Sequence, residues 1–268
     1  PSADQFMFMA NIYAQEKRYE ESIGYASDAI DIAEKPKENW YQLLTANYFA
    51  IEDFQQSART LRIMIELWPN EIMYWEQLAS VNMLQGSLEN ALASLRVAFE
   101  VGLIEKKSTI KSLVQLSIRQ GVPENSARVL EESLKTGLVP EEKEYYDLMA
   151  HAWREAREYH NAIMAHETSA SLSKTGEPFV RIADIHMKFN RWSQAEKALK
   201  KALDYDLPDK GKAWLLLGIT QSELLNFDAA RTSLRKARAQ KSTSKSAQKW
   251  LRYSEDMRRQ ADWIAENS

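Results

Sequence analysis

Cysteine is absent from this chain of 268 residues, and glycine and proline are scarce, with 8 and 7 copies. Without cysteine the chain has neither disulfide bonds nor thiolate metal ligands. Few helix-breaking residues, together with 44% hydrophobic residues, favour a helix-dominated protein with a continuous core over a β-rich fold.

Long hydrophobic runs are also missing. No stretch of about 18 apolar residues occurs, which predicts no membrane span. The start, PSADQFMFMANIY, has no basic region of the kind that opens a signal peptide, although a removed signal would leave no trace.

The stretch 211–238, GKAWLLLGITQSELLNFDAARTSLRKAR, reads as two amphipathic helices separated by a turn at Asn226-Phe227. Trp214, Leu217 and Gly218 share one face of the first helix. Ala230, Leu234 and Ala237 share one face of the second helix. Small residues let two helices approach closely, and large ones fill the space beside them. Such a pair cannot bury its apolar face alone, so copies are expected to stack on it.

Copies occur at a period of 33 to 36 residues. Seven marker residues carry it: Tyr19, Phe54, Leu88, Pro123, Tyr159, Trp192 and Phe227. Three residues after each marker stands a small residue, expected where the helices cross: Ser22, Ser57, Ala91, Ser126, Ala162, Ala195 and Ala230.

The tracts EDFQQSARTLRIMIELWPN and GSLENALASLRVAFE resemble the tetratricopeptide repeat family at equivalent positions of the second helix of each repeat. Pro69 also falls where the family pattern ends a repeat. The resemblance implies an all-α fold, a right-handed superhelical solenoid of about seven helix pairs within a single domain. The fourth repeat departs most from the family pattern. The expected repeats span roughly 3–36, 37–70, 71–105, 106–141, 142–174, 175–210 and 211–240, followed by a C-terminal capping helix over about 243–266.

In this family the first helices line a partner-binding groove on the concave face. Carried over by position, the resemblance implies a groove of mixed apolar and polar character, suited to an extended or helical protein segment. Its residues are Gln42, Ala46, Phe49, Glu76, Ser80, Met83, Lys111, Gln115, Ile118, Asp147, His151, Arg154 and Asp184. Phe49, Met83 and Ile118 have an equally weighted alternative role, packing neighbouring helices.

No catalytic motif is present: GxGxxG, a phosphate loop, GxSxG and HExxH are all missing. His166 and His186 occupy packing columns, which favours hydrogen-bonded structural histidines, and His160 lies at a turn. Most aromatic rings also occupy packing columns rather than a base-stacking surface. We therefore expect a non-enzymatic protein with no cofactor, no metal and no nucleic-acid partner.

Charge is distributed unevenly. Residues 1–104 carry 7 basic and 15 acidic side chains, whereas residues 195–268 carry 15 and 10. Five cations mark a candidate basic face: Arg235, Lys241, Lys245, Lys249 and Arg252. A solvated helical face is the more common meaning of such spacing, and an anionic partner is the alternative.

Three segments, EKPKENWYQLLTANYFAIEDF, ELWPNEIMYWEQLASVNMLQG and LSIRQGVPENSARVLEESL, resemble tetratricopeptide proteins encoded beside TonB systems in marine gammaproteobacteria. The resemblance implies a periplasmic accessory of TonB-dependent iron transport that docks TonB or another component of the TonB–ExbB–ExbD machinery. A cytosolic assembly scaffold or co-chaperone-like adaptor is the alternative. Phe6 to Met9 leave the N-terminal end apolar and uncapped, which favours a homodimer through that end.

Overall fold

The computed structural model describes residues 1–267, and these form fifteen α-helices and no strand. The all-α repeat fold expected from the sequence is therefore confirmed. Residue contacts divide the chain into two units, Pro1–Val129 and Leu130–Ser268.

Seven helices lie wholly within the first unit, and each packs on the next. They are α1 (Ala3–Gln15), α2 (Tyr19–Ile32), α3 (Glu38–Ala50), α4 (Phe54–Leu67), α5 (Ile72–Leu84), α6 (Leu88–Glu100) and α7 (Lys107–Arg119). The helix α8 (Pro123–Lys135) begins in this unit and ends in the other.

The second unit contains the remaining seven helices. They are α9 (Lys143–Glu155), α10 (Tyr159–Ser173), α11 (Glu177–Lys188), α12 (Trp192–Asp204), α13 (Lys210–Glu223), α14 (Phe227–Arg238) and α15 (Ser244–Asn267). The long helix α15 packs on α13 and α14 through buried Ala247, Leu251 and Ser254, and Ser222 donates a hydrogen bond to Ser254, 3.0 Å away.

Each of the seven marker residues is the first residue of a second helix, from α2 to α14. Two residues before each marker, the backbone enters the left-handed region, with φ between 54° and 76°. Only Gly86 and Gly121 supply the residue type that favours this conformation. The other five turns adopt it with Lys17, Glu52, Arg157, Asn190 and Leu225.

The small-residue column lies where the helices of each pair meet, and all seven of its members are fully buried. The helices α13 and α14 approach closely at Gly218, where an added Cβ would lie 2.5 Å from Cγ of Leu234. The expectation that small residues bring the paired helices together is confirmed. This packing fixes the first helices so that one face of each stays open to solvent.

Candidate functional site

In the first unit, the predicted groove residues lie along α3, α5 and α7 on the face that the second helices leave uncovered. Gln42, Ala46, Phe49, Ser80, Met83 and Gln115 are exposed. Glu76, Lys111 and Ile118 are half-buried. Most of this set is therefore accessible to a partner.

Polar contacts tie the first helices of this face together. Gln42 donates a hydrogen bond to the Tyr74 hydroxyl, 2.8 Å away, and that hydroxyl donates to the Glu38 carboxylate. Burial, reinforced by the hydrogen bond to Glu38, raises the pKa of Tyr74 to about 12. The phenol thus stays protonated at neutral pH and links α3 to α5.

Glu76 connects α5 to the beginning of α7. Thr109 donates to its carboxylate over 2.5 Å, and Lys106 pairs with it at 2.9 Å. Partial burial disfavours ionisation of Glu76, but these two partners outweigh that effect and lower the pKa of its carboxyl group. The predicted groove residue is therefore an anion already held by its neighbours.

Two apolar side chains at the carboxyl ends of α3 and α5 stand out on this face. Phe49 is 48% exposed and Met83 is 38% exposed. Phe49 also contacts Phe54 edge-on, with ring centroids 5.5 Å apart. Both side chains are therefore partly packed and still expose apolar surface to solvent, whereas Ile118 is half-buried and exposes less.

In the second unit, Asp147 is only half-buried, but α9 and α10 engage both its oxygens. Lys143 lies 2.7 Å from one oxygen, and the Ser169 hydroxyl donates to the other over 2.6 Å. Nδ1 of His166 is 4.0 Å away. Burial lowers the pKa of His166 to about 4, although the Asp147 carboxylate attracts a proton to it.

The sequence predicted hydrogen-bonded structural histidines at 166 and 186. His166 is buried and His186 is half-buried, but neither Nδ1 atom has a hydrogen-bond partner within residues 1–267. The predicted hydrogen bonding is therefore wrong at Nδ1. The Asp147 carboxylate, 4.0 Å from Nδ1 of His166, lies beyond hydrogen-bond distance. His151 is exposed, with Nδ1 3.7 Å from Glu155.

A cleft of about 790 Å³ opens in the second unit between the carboxyl end of α9, the exposed face of α11 and the loop before α13. Arg154 and Asp184, both predicted groove residues, line it. Its buried base includes Val180, Ile185 and Leu207. The remaining lining residues are Glu155, Arg157, Tyr159, Glu177, Arg181, Lys188, Pro208, Asp209 and Lys212.

The four carboxylates of this cleft have partners within the unit. Glu155 pairs with Arg154 at 3.2 Å, and Asp184 pairs with Lys212 at 3.7 Å. Glu177 lies 3.9 Å from Lys143, and Asp209 caps α13 by accepting from the Gly211 amide.

Three of the cleft's cations form no ion pair within the described chain. They are Arg157, Arg181 and Lys188, of which Lys188 donates a hydrogen bond to the Tyr159 hydroxyl. The charge left available in the cleft is therefore positive.

Sequence reasoning missed Arg157, Arg181 and Lys188 as cleft residues. Arg157 lies in a turn and takes the left-handed conformation, with φ of 63°. Lys188 reaches across to Tyr159, whose hydroxyl is 2.5 Å from its Nζ. A signal was available in the spacing of the charged residues 177, 181 and 188, which are four and seven apart and therefore share the open face of α11.

The five cations of the candidate basic face are all exposed. None of the five forms an ion pair among residues 1–267, while their neighbour Lys236 lies over the Trp214 ring at 4.0 Å. The face is accessible both to solvent and to a partner. No contact in the described part of the chain distinguishes the two interpretations of it.

Across residues 1–267, no cluster of three or more His, Asp or Glu side chains is arranged to hold a metal ion. No described helix combines the length and apolar character needed to cross a bilayer.

A family model described as tetratricopeptide repeat matches residues 180–245. The search of curated protein sequences gave no match.

Two solved structures show the fold. A chain in the structure of Naa15/Naa10 bound to HypK-THB is 14% identical with a TM-score of 0.71, over 95% of this chain and 39% of that one. The C-terminal part of a TPR repeat-containing protein from Cytophaga hutchinsonii is 11% identical with a TM-score of 0.55, and the match covers 91% of this chain and 99% of that one. The present chain thus spans well under half of the first. Residues 180–245 thus match the tetratricopeptide repeat family, and the all-helical repeat fold of nearly the whole chain is that of the two similar structures.

Proposed function

We propose that this chain is a protein-binding scaffold whose second unit docks an acidic segment of a partner protein. The fold is one that typically serves as a non-catalytic interaction scaffold. The observation that carries the proposal is the cleft of about 790 Å³ in which Arg157 and Arg181 have no ion pair within the described chain.

The chemistry of the cleft favours a peptide over a small apolar ligand. Small-molecule pockets are lined mostly by hydrophobic and aromatic groups, whereas charged side chains make up most of this lining. A guanidinium group binds a carboxylate through two parallel hydrogen bonds, so free arginines match aspartate and glutamate side chains. Val180 and Ile185 at the base add apolar contact for the same segment.

The open face of α3, α5 and α7 supplies a second docking region in our proposal. Phe49 and Met83 would anchor apolar side chains of a partner, and Gln115 would fix its register. The similar structure of Naa15/Naa10 is itself a complex with HypK-THB, which supports partner binding by this fold.

Site-specific photo-crosslinking tests the proposal. A crosslinker is placed at Asp184 in the cleft, at Gln115 on the first-unit face, or at Gln55 on the outer helix α4, all of which are exposed. We expect one protein to be captured from Asp184 in preference to Gln55, and capture to fall when Arg181 is replaced by Glu. Equal capture from all three positions, or capture unaffected by Arg181→Glu, would contradict cleft docking.

A narrower proposal concerns the partner and the compartment. On the resemblance of the three segments described above, we propose a periplasmic accessory that docks TonB or a companion subunit and assists iron transport. Cell fractionation of the native protein and identification of the Asp184 adduct test this directly. A cytosolic protein that captures only cytosolic partners would replace it with the assembly-scaffold alternative, and docking in the cleft would still stand.

A further inference from the structure

The outer helices of the first unit expose aliphatic side chains that the packing of the repeats does not use. On α4, Ile63 is 44% exposed and Leu67 is 52% exposed. Val97 on α6 is 42% exposed, and Val101, the residue that caps the carboxyl end of α6, is 61% exposed. In each repeat the two residues are four apart, so they lie on the same side of the helix or of its carboxyl end. We call these four residues the outer aliphatic stripe.

The stripe repeats with its flanking charges. The order arginine, aliphatic, two further residues, glutamate, aliphatic occurs at 62–67 at the carboxyl end of α4. It occurs again at 96–101, which spans the carboxyl end of α6 and its capping residue. Arg96 and Glu100 pair with each other at 2.9 Å. Arg62 and Glu66 form no ion pair within residues 1–267. Both charge signs thus lie along the same flank of the stripe in two successive repeats.

This order is self-complementary. When two copies of a helix meet antiparallel across a two-fold axis, the same flank of each helix faces its own copy, as in antiparallel coiled coils. An arginine then lies opposite the glutamate four residues further along the other copy. The arrangement pairs Arg62 with Glu66 twice, and Arg96 with Glu100 twice. One axis serves both helices because the charges occupy equivalent positions in the two repeats.

We propose that the outer aliphatic stripe is a homodimer interface in which α4 and α6 pack antiparallel against α4 and α6 of a second copy. The aliphatic side chains form the centre of the contact, and the arginine–glutamate pairs flank it and set its direction. This surface differs from the apolar N-terminal end that the sequence suggested for dimerisation. It also lies outside the cleft of the second unit, so a dimer presents two copies of that cleft.

Sedimentation equilibrium of the purified chain tests the proposal. We expect a reversible dimer, and Leu67→Glu is expected to raise its dissociation constant by roughly 100-fold because it buries an unpaired charge at the centre of the contact. Leu172→Glu on α10, where the leucine is 44% exposed, is the matched control and should leave the dimer intact. Circular dichroism of each variant checks that the helices are retained.

Exchanging the charges of Arg62 and Glu66 distinguishes a dimer that forms through the outer aliphatic stripe from one that forms through another surface. Arg62→Glu alone places two glutamates opposite each other and should weaken the dimer, whereas Arg62→Glu combined with Glu66→Arg should restore it. A monomeric native chain at high concentration would overturn the proposal. So would a dimer that survives Leu67→Glu, or one that is lost instead in Phe8→Glu at the N-terminal end.

Discussion

Gly218 on α13 lies directly against Leu234 on α14, so closely that a Cβ at position 218 would stand 2.5 Å from Cγ and 2.7 Å from Cδ2 of that leucine. Gly218→Ala therefore forces the two helices apart or moves Leu234 from its rotamer. Overpacking of this kind costs about 1–3 kcal/mol, which exceeds the gain of up to about 1 kcal/mol from the better helix propensity of alanine. Thermal unfolding should show a lower Tm.

Gly24 provides the control for that prediction. It is an exposed residue within α2, and no atom lies within 4 Å of where its Cβ would be. Gly24→Ala should stabilise the chain by up to about 1 kcal/mol. Equal effects of the two substitutions would show that the approach of α13 to α14 is not limited by Gly218.

Ser22 and Ser57 occupy the same column and are both fully buried, but they differ in hydrogen bonding. The Ser22 hydroxyl donates to the Ala10 carbonyl and accepts from the Asn47 amide, each over 2.7 Å. Ser22→Ala leaves the buried Asn47 amide without this partner and removes the second hydrogen bond of the Ala10 carbonyl, so chemical denaturation should show a loss of about 1–3 kcal/mol.

The Ser57 hydroxyl has no hydrogen-bond partner within residues 1–267. Ser57→Ala should therefore be neutral or slightly stabilising, because it removes a buried polar group that folding leaves unpaired. A loss for Ser57→Ala as large as that for Ser22→Ala would count against this difference in hydrogen bonding.

His166 should make the stability of the fold depend on pH. Burial lowers its pKa from 6.5 to about 4, so the unfolded chain binds more protons between these values than the folded chain does. The free energy of unfolding then falls as the pH drops from about 6.5 to about 4. At 1.36 kcal/mol per pKa unit, the loss is at most roughly 3 kcal/mol.

Urea denaturation at pH 7.5 and pH 5 measures this effect as a difference between variants. His166→Gln should lose less stability on acidification than the native chain. His160, which the sequence placed at a turn, is an exposed residue in the first turn of α10, and His160→Gln should behave like the native chain. The same pH dependence in all three proteins would assign it to the carboxylates instead.

Arg181 should govern binding of acidic peptides. With a fluorescein-labelled peptide of alternating Glu and Ser as the probe, Arg181→Gln is expected to weaken binding about 5- to 10-fold. Affinity should also fall as salt is raised, because the charges on an open cleft are screened.

Arg235→Gln on the basic face is the matched control for the peptide experiment and should leave the affinity unchanged. If Arg235→Gln weakens binding and Arg181→Gln does not, acidic peptides bind the basic face rather than the cleft.

Sequence periodicity by itself determined the repeat fold. The seven markers begin seven second helices, and the small residues three positions later are all buried. Both properties depend on residues within about 35 positions of one another, and helix formation and helix pairing act over that distance. The predicted groove residues are mostly exposed on the first helices for the same reason, although their role stays a prediction.

Only the tertiary structure decided which of these residues share a cleft. Arg157 in a turn, Arg181 on α11 and Lys212 on α13 come together because three helices stack at distances that no local pattern specifies. The same packing leaves Ser57 without a partner while Ser22 has two, and keeps Leu67 exposed while Leu61 on the same helix is buried. The position of a residue within its repeat determines which face of the helix it occupies, but the neighbouring helix determines which atoms it contacts.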